Sequence, residues 1–203
     1  DEVYGSLKVK EKPFKESNKF LPNSPYAASK ASSDLLCRAW HKTYNLPVIV
    51  TNCSNNYGPW QYPEKLIPVV ITKILQNKKI PIYGNGKNIR DWIHVNDHVD
   101  ALISISNKGK IGETYNIGGN NEINNLDLVK RICEVIDKIK DNKLSSKNLI
   151  SFVDDRLGHD FRYSINSKKI KNKINYNCKI NFSKGLHETV NWYLENKKWL
   201  LGK

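Results

Sequence analysis

The stretch SPYAASKASSDLLCRAWHKTYNLPVIVTNC, residues 24–53, decides the fold class of this chain. Ser24 is a good helix N-cap and Pro25 a favoured first helical residue, so a helix is predicted from there to about Tyr44. The PVIVTNC segment that follows, residues 47–53, is a short apolar run rich in β-branched residues, which is typical of a buried parallel strand. A helix that leads into such a strand indicates an alternating α/β fold.

The remaining segments continue this alternation. Helices are predicted at residues 66–77, from Asn96 to about Ser106, from Asn124 or Asn125 to Val135, and at 183–196. Strands are predicted at residues 1–4, 113–118 and 151–155, and on both sides of a turn at 84–86. Because strands that alternate with helices pair in parallel, the sequence predicts a parallel sheet.

Composition limits the classes of protein that this chain can belong to. With 39% hydrophobic residues, the 203-residue chain can bury the core of one or two domains. It contains no methionine, so we expect it to be part of a longer protein. No run approaches the roughly 18 apolar residues of a membrane span, and we expect no membrane contact. The cysteines are far apart in sequence and fit neither a disulfide framework nor a zinc site, which favours buried thiols in a reducing cytoplasm: Cys37, Cys53, Cys133 and Cys178.

The net charge of +13 suggests an anionic partner. On charge alone, nucleic acid and a phosphorylated small molecule are both candidates. No RNA-binding aromatic motif, zinc finger or basic zipper accompanies the lysines, so we predict no nucleic-acid binding. His94 and His98 are four residues apart, but Asn96 is predicted to cap a helix between them, so no metal site is predicted either.

Tyr26 and Lys30 lie one turn apart on the same face of the first predicted helix. An ammonium group beside a phenol stabilises the ionised phenol, whose oxygen can then accept a proton as a base. A lone pair with this spacing is more often a solvated surface contact. The functional interpretation therefore depends on the other segments.

Polar residues follow two of the predicted strands. In a doubly wound sheet, ligands bind beyond the carboxyl ends of the strands. Asp1 and Glu2 lie in the end of the first strand, and Ser54, Asn55 and Asn56 come after the strand at 47–53. A carboxylate pair at a strand end is a candidate acid and base, because neighbouring side chains there point into different environments.

Six segments make the chain resemble a known family, and they occur in the family's order: DEVYG, SPYAASKASSD, NCSNNYGPWQYPEKLIP, PIYGNGKNIRDWIHVNDH, GETYNIGGNNE and DRLGHDFRY. The chain resembles the extended short-chain dehydrogenase/reductases, most closely the dTDP-glucose 4,6-dehydratases. That closer resemblance rests mainly on Asp1 and Glu2. Similar epimerases carry small hydroxyl residues there, and similar decarboxylases and GDP-mannose dehydratases keep only the glutamate.

The resemblance implies an α/β fold with the second half of a Rossmann-like doubly wound parallel sheet and a smaller α/β substrate-binding lobe. Residues 1–56 would belong to an NAD-binding domain whose N-terminal part, with its glycine-rich turn, is missing from the chain. Residues 57–203 would mainly form the substrate lobe, with 88–118 returning to the NAD-binding domain. A homodimer is also implied, with the helices at 24–44 and 66–77 as candidate interface.

The implied reaction is the NAD-dependent dehydration of a nucleotide-activated hexose, from dTDP-glucose to dTDP-4-keto-6-deoxyglucose. Tyr26, helped by Lys30, would take the proton of the sugar 4-hydroxyl while C4 passes its hydride to NAD⁺. Glu2 would remove the C5 proton and Asp1 would protonate the departing 6-hydroxyl, after which the hydride returns to C6. Lys30 would also bond the nicotinamide ribose.

The resemblance also implies binding residues. Asn55 would contact the substrate, Asn56 the cofactor, and Arg90 the diphosphate, whose oxygens suit a forked guanidinium. Further residues would surround the nucleotide: Lys65, Leu66, Pro81, Ile82, Tyr83, Asn125, Asp155, Arg156 and His159. Two alternatives stay open, namely a related UDP- or CDP-sugar dehydratase, epimerase or decarboxylase, and an inactive remnant that only binds.

Overall fold

A computed structural model describes residues 2–202, so the predicted acid Asp1 lies outside the described residues. Within this range the chain forms two compact units. The first comprises residues 2–56, 89–122 and 157–179, and the second comprises 57–88, 123–156 and 180–202. The sequence predicted that residues 88–118 return to the N-terminal domain, but it gave no sign that 157–179 also belong to this unit.

The helices predicted from the sequence are all present. The described residues form α1 (Pro25–Tyr44), α2 (Leu66–Leu75), α3 (Val95–Lys108), α4 (Asn125–Lys140), α5 (Lys168–Ile174), α6 (Phe182–Glu195) and α7 (Lys197–Leu201), with a 3₁₀ turn at Ser146–Leu149. The short α5 and α7 were not predicted. No helix within residues 2–202 is long and apolar enough to cross a membrane.

The strands are short and pair in parallel wherever a register is defined. They are β1 (Val50–Cys53), β2 (Asn55–Tyr57), β3 (Ile80–Tyr83), β4 (Ile89–His94), β5 (Thr114–Ile117), β6 (Glu122–Asn124), β7 (Ile150–Val153) and β8 (Arg162–Tyr163). β1 pairs with β5, β3 with β7, and β4 with β8. The predicted α/β class with parallel strands is confirmed.

Two local predictions are wrong. Residues 2–4 form no strand, because Glu2 begins a turn that is closed by Gly5 N donating to Glu2 O at 3.3 Å. The N-cap of α3 is His94 and not Asn96, because the His94 ring nitrogen Nδ1 accepts a hydrogen bond from Asn96 N at 3.2 Å. A side chain placed just before the helix can satisfy a free amide of the first turn, which one inside the helix cannot.

The first unit contains two hydrophobic clusters. One lies around α3, α5 and β5 and consists of Ile93, Ala101, Ile105, Tyr115, Ile117, Ile170, Ile174 and Tyr176. In the other, Ala31 of α1 packs with Val3, Tyr4, Tyr163 and Ile165. Because Val3 follows Glu2 directly, this second cluster brings α1 next to the segment that carries Glu2.

The second unit has its own core. α2, α4 and α6 pack together, and α2 also contacts β3. The buried residues of α4 recur at helical spacing and form one apolar face: Leu128, Val129, Ile132, Cys133 and Ile136. All four cysteines of the chain are free thiols. The prediction that they are buried is right for Cys133 and wrong for Cys37, Cys53 and Cys178, which are partly exposed.

Candidate functional site

The start of α1 carries the predicted Tyr26 and Lys30 pair. Ser24 caps the helix by accepting a hydrogen bond from Ala27 N at 3.1 Å, and Pro25 is the first helical residue. This cap places Tyr26 in the first turn, where 60% of the residue is exposed. Lys30 Nζ lies 5.5 Å from the centroid of the Tyr26 ring, within the range of a cation–π contact. The predicted pair is therefore formed and open to solvent.

Glu2 forms an ion pair with Arg90 of β4, with 2.8 Å between Glu2 Oε1 and Arg90 Nη2. Arg90 is 5% exposed, and its Nη1 also donates to the carbonyl oxygens of Ile89 and Asp160, both at 2.9 Å. Glu2 has a φ of 57°, a left-handed conformation that costs a non-glycine residue about 1 kcal/mol or more. A buried guanidinium thus holds the carboxylate that the sequence analysis assigned as a base.

Asp160 lies beside this ion pair. It is 5% exposed, and its Oδ1 accepts a hydrogen bond from Asn23 Nδ2 at 2.6 Å. Burial raises the pKa of Asp160, the Asn23 hydrogen bond opposes this, and the charges of Glu2 and Arg90 act in opposite directions. His159 precedes it and is half-buried. The structure therefore brings Glu2, Arg90 and the His159 segment together at the start of α1.

Within the first unit, a series of hydrogen bonds connects α1 with β1 and β5. Asp34 Oδ2 accepts a hydrogen bond from Asn52 Nδ2 at 2.6 Å, and the Tyr4 hydroxyl contacts Asn52 Oδ1 at 3.1 Å and Asn116 Oδ1 at 2.9 Å. Asp34 lies one turn after Lys30 on the same face of α1. Burial raises the pKa of Asp34, while the Asn52 hydrogen bond and the Lys30 charge oppose the rise. These hydrogen bonds fix the orientation of α1 over β1 and β5.

The loop that follows β1 carries Asn55 and Asn56. Asn56 Nδ2 donates to Cys53 Sγ at 3.4 Å and to Ser54 O at 3.2 Å. The Oδ1 atom of Asn55 is buried and has no hydrogen-bond partner among the described residues. A buried amide oxygen without a partner is costly, so it marks a place that a bound ligand can complete.

Asp91, in β4, is a fully buried carboxyl group. Its Oδ1 accepts a hydrogen bond from Asn121 N at 2.7 Å. Burial raises the pKa of Asp91 to about 6, and the hydrogen bond from the Asn121 amide offsets only part of the rise. The sequence analysis did not predict this group.

Asp91→Asn should remove a pH dependence of stability. Because burial raises the pKa of Asp91 from 3.8 to about 6, its contribution to stability is complete below pH 4 and is lost as the pH rises through 6. The loss amounts to about 3 kcal/mol at most. We expect the difference in unfolding free energy, variant minus wild type, to grow by about 1–3 kcal/mol between pH 4 and pH 7.5 in urea titrations. Asp141→Asn, at an exposed position, is the control. A difference that stays constant with pH would contradict the raised pKa.

Most of the predicted nucleotide-binding residues belong to the second unit: Lys65, Leu66, Pro81, Ile82, Tyr83, Asn125, Asp155 and Arg156. β3 and β7 end side by side, and there the Arg156 guanidinium carbon lies 5.4 Å from the centroid of the Tyr83 ring, which is 43% exposed. An exposed ring with a cation at this distance can stack a planar base. Ile82 is 2% exposed and its side chain belongs to the core, so only its main chain can contact a ligand.

Three of these predicted nucleotide-binding residues lie at helix starts. Lys65 precedes α2 and pairs with Glu64 at 3.2 Å, and Leu66 is the first residue of α2. Asn125 begins α4, but the N-cap is Asn124, whose Oδ1 accepts from Asp127 N at 2.8 Å. Among residues 2–202, no group of three His, Cys, Asp or Glu side chains is arranged to hold a metal ion.

Comparison with known proteins identifies the family. The family model described as GDP-mannose 4,6-dehydratase matches residues 1–189. The chain belongs to this family, within the extended short-chain dehydrogenase/reductases. The resemblance predicted from the six segments is confirmed.

Members of the family with known names are similar over nearly all of this chain. The dTDP-glucose 4,6-dehydratase 1 of Escherichia coli (strain K12) is 51% identical over 208 residues, which cover 98% of this chain and 58% of that protein. The crystal structure of a dTDP-glucose 4,6-dehydratase from Bacillus anthracis str. Ames, in complex with NAD, is 50% identical with a TM-score of 0.90 and covers 98% of this chain and 60% of that chain. For a dTDP-glucose 4,6-dehydratase from Streptomyces venezuelae with NAD bound, the identity is 43% and the TM-score 0.92, over 98% of this chain and 59% of that chain. This chain thus spans a little under three fifths of the length of the first of these family members.

The family segments did not identify several residues of the site. Asn23 and Asp160 lie within or beside quoted segments, but nothing in their local sequence pairs them. Asp34 could have been noticed, since it continues the spacing of Tyr26 and Lys30 by one more helical turn. Asp91 carries no local signal beyond its place in an apolar strand.

Proposed function

We propose that the protein carrying this chain is an NAD-dependent nucleotide-sugar 4,6-dehydratase that converts dTDP-glucose to dTDP-4-keto-6-deoxyglucose. The observation that carries the proposal is the joint placement of Tyr26 with Lys30 and of Glu2 with Arg90 within one compact unit. The proposed reaction needs two different bases, and Tyr26 and Glu2 would take these two parts. Membership of the family supports the substrate class.

Tyr26 would begin the reaction by taking the proton of the sugar 4-hydroxyl. It is exposed at the helix start, so a substrate oxygen can reach it, and Lys30 Nζ lies 5.5 Å from the centroid of its ring. Bound NAD⁺ would accept the hydride from C4 and return it later to C6. Removing the proton and the hydride together oxidises C4 to a ketone, which acidifies the neighbouring C5 proton.

Glu2 would then remove the C5 proton, and the 6-hydroxyl would leave as water after protonation by Asp1. Glu2 must be ionised to act as a base, and its carboxylate lies 2.8 Å from the Arg90 guanidinium. Asp1 lies outside the described residues, so its assignment as the acid rests on the family resemblance alone. One proton leaves C5 and one joins the departing oxygen, so the elimination of water is balanced. When the hydride reaches C6, Glu2 would give its proton back to C5, which completes the 4-keto-6-deoxy sugar.

The residues present fit the nicotinamide end of NAD. Tyr26 and Lys30 present a hydroxyl and an ammonium group at an exposed helix start. The buried Asn55 Oδ1 needs a donor, which a hydroxyl of the sugar substrate can supply, and Asn56 is the next residue in the chain. Tyr26, Lys30 and Asn56 would hold the cofactor, and Asn55 the sugar.

The nucleotide end of the substrate would bind in the second unit. Tyr83 and Arg156 offer a ring and a guanidinium at the ends of β3 and β7, and the neighbouring Asp155 offers a carboxylate. Arg90 is proposed to contact the diphosphate.

A homodimer in the cytoplasm is the proposed form of the protein. The exposed face of α1 supports the dimer, because it carries Leu35, Leu36, Trp40 and Tyr44, each at least 52% exposed. α2 supports it less, because Ile67, Pro68, Val70, Ile71 and Ile74 are buried. The free thiols support a reducing compartment.

The proposed function can be tested by incubating the full gene product with NAD and dTDP-glucose. We expect a product lighter than the substrate by the mass of one water, detected by mass spectrometry. UDP-glucose and CDP-glucose are the parallel substrates. Conversion of one of these with dTDP-glucose left intact would assign the alternative nucleotide, and no conversion of any of them would favour an inactive remnant.

A further inference from the structure

The segment that ends in Asp160 is hydrogen-bonded to the residue before the N-cap of α1, the helix that bears Tyr26. Asp160 Oδ1 accepts from Asn23 Nδ2 at 2.6 Å, and Asn23 directly precedes the N-cap Ser24. The bond is short, its acceptor is a carboxylate, and the carboxylate is nearly buried, all of which strengthen it.

Asp160 is also linked to Glu2, through Arg90. The carbonyl oxygen of Asp160 accepts from Arg90 Nη1 at 2.9 Å, and Arg90 Nη2 holds Glu2 Oε1 at 2.8 Å. Asp160 therefore contacts the Tyr26 helix with its side chain and, through Arg90, the predicted base with its main chain.

The neighbours of Asp160 leave this segment little freedom. Gly158 has a φ of +67°, and a Cβ atom there would lie 2.9 Å from Asn23 O, so the main chain is seated directly on the helix start. Phe161 N donates to Ser6 Oγ at 2.9 Å. Both contacts place the segment between the start of α1 and the turn that follows Glu2.

We propose that Asp160 is a positioning residue that sets the place of Tyr26 relative to Glu2, an inference that rests on the proposed dehydratase function. The two bases act on adjacent positions of one sugar, the 4-hydroxyl and C5. Proton transfer is sensitive to misplacement of about 1 Å, which can cost about 100-fold in rate. Asn23, Arg90 and Glu2 come from separate parts of the chain. Asp160 contacts Asn23 with its side chain and Arg90 with its carbonyl oxygen.

Three variants test the proposal in the full gene product. Asp160→Asn keeps an oxygen that can accept from Asn23, so kcat should fall by less than about fivefold. Asn23→Asp sets a second carboxylate against Asp160, and kcat should fall by about 10–100-fold while KM for the nucleotide sugar changes little. The double variant N23D/D160N again pairs one donor with one acceptor, in exchanged positions, and should restore kcat to within about tenfold of wild type.

Two controls separate positioning from plain stability. Asn142→Asp changes a similar amide–carboxylate pair in the second unit, where Asn142 Nδ2 donates to Asp137 Oδ1 at 2.9 Å, and should leave kcat unchanged. Urea unfolding of every variant measures the folded fraction, and kcat is expressed per folded molecule. Asn23→Ala, which removes the donor without adding a charge, replaces N23D if that variant does not fold.

The outcomes are distinct. A low kcat in N23D that the double variant restores supports the proposal. A kcat per folded molecule that stays at the wild-type level in N23D or N23A overturns it, as does a double variant that regains stability without regaining kcat. A wild-type protein that dehydrates no nucleotide sugar overturns the proposed function itself and this inference with it.

Discussion

Glu2→Gln is expected to stop the loss of water while hydride transfer from the sugar continues, so that NADH absorbance accumulates and no 4-keto-6-deoxy sugar is released. A glutamine amide cannot accept the C5 proton, and the loss of a general base lowers a rate by about 10²–10⁴-fold. The first step should survive, because Tyr26 and not Glu2 accepts the proton of the 4-hydroxyl in the proposed mechanism. Stopped-flow absorbance and mass spectrometry of the product measure the two steps separately.

A matched control for Glu2→Gln is Glu122→Gln. Glu122 forms a similar pair with Arg162, whose Nη2 donates to Glu122 Oε1 at 2.8 Å, and it has no proposed part in the reaction. Both variants remove an acid–arginine pair, and only Glu2→Gln should separate the two steps. Rapid formation of the 4-keto-6-deoxy sugar by Glu2→Gln would show that another group is the base.

Tyr26→Phe is expected to abolish the first step as well as the overall reaction. Without the phenol oxygen no group of the described site takes the proton of the 4-hydroxyl, and turnover should fall by about 10²–10⁴-fold. No NADH should accumulate in this variant, which distinguishes it from Glu2→Gln. Single-turnover absorbance with a saturating nucleotide sugar is the measurement.

Tyr44→Phe is the control for Tyr26→Phe. Tyr44 ends the same helix and is 67% exposed, so the substitution removes a comparable hydroxyl far from the helix start. Its turnover should match that of the wild type. If Tyr26→Phe kept wild-type turnover, the Tyr26 and Lys30 pair would be an ordinary surface contact, which is the commonest meaning of this spacing.

The sequence predicted those features that depend on neighbours in the chain. The helix at Pro25–Tyr44 follows from Ser24 and Pro25, and the pairing of Tyr26 with Lys30 follows from one turn of that helix. The parallel strands follow from short apolar runs between helices. The family follows from six segments in order. In each case the information lies within a few consecutive residues or in their order.

The strand predicted at residues 1–4 shows where local information ended. An apolar and charged stretch of that length is compatible with a strand or a turn, and Glu2 with a φ of 57° can only be a turn residue. The described structure decides between them, because the neighbouring Val3 and Tyr4 are buried against Ala31.

Only the tertiary structure decided which partners meet in the site. The family resemblance implied that Arg90 contacts a diphosphate, and the tertiary structure adds that Arg90 pairs with Glu2, which no local pattern predicted. Asp160 and Asn23 are 137 residues apart, and Asp160 and Arg90 are 70 apart. Such contacts form because separate segments bury their apolar faces in one unit, and the buried polar groups must then bond whatever donors and acceptors the packing brings near. A local sequence pattern cannot predict these contacts, because the burial of the whole unit decides which polar groups become partners.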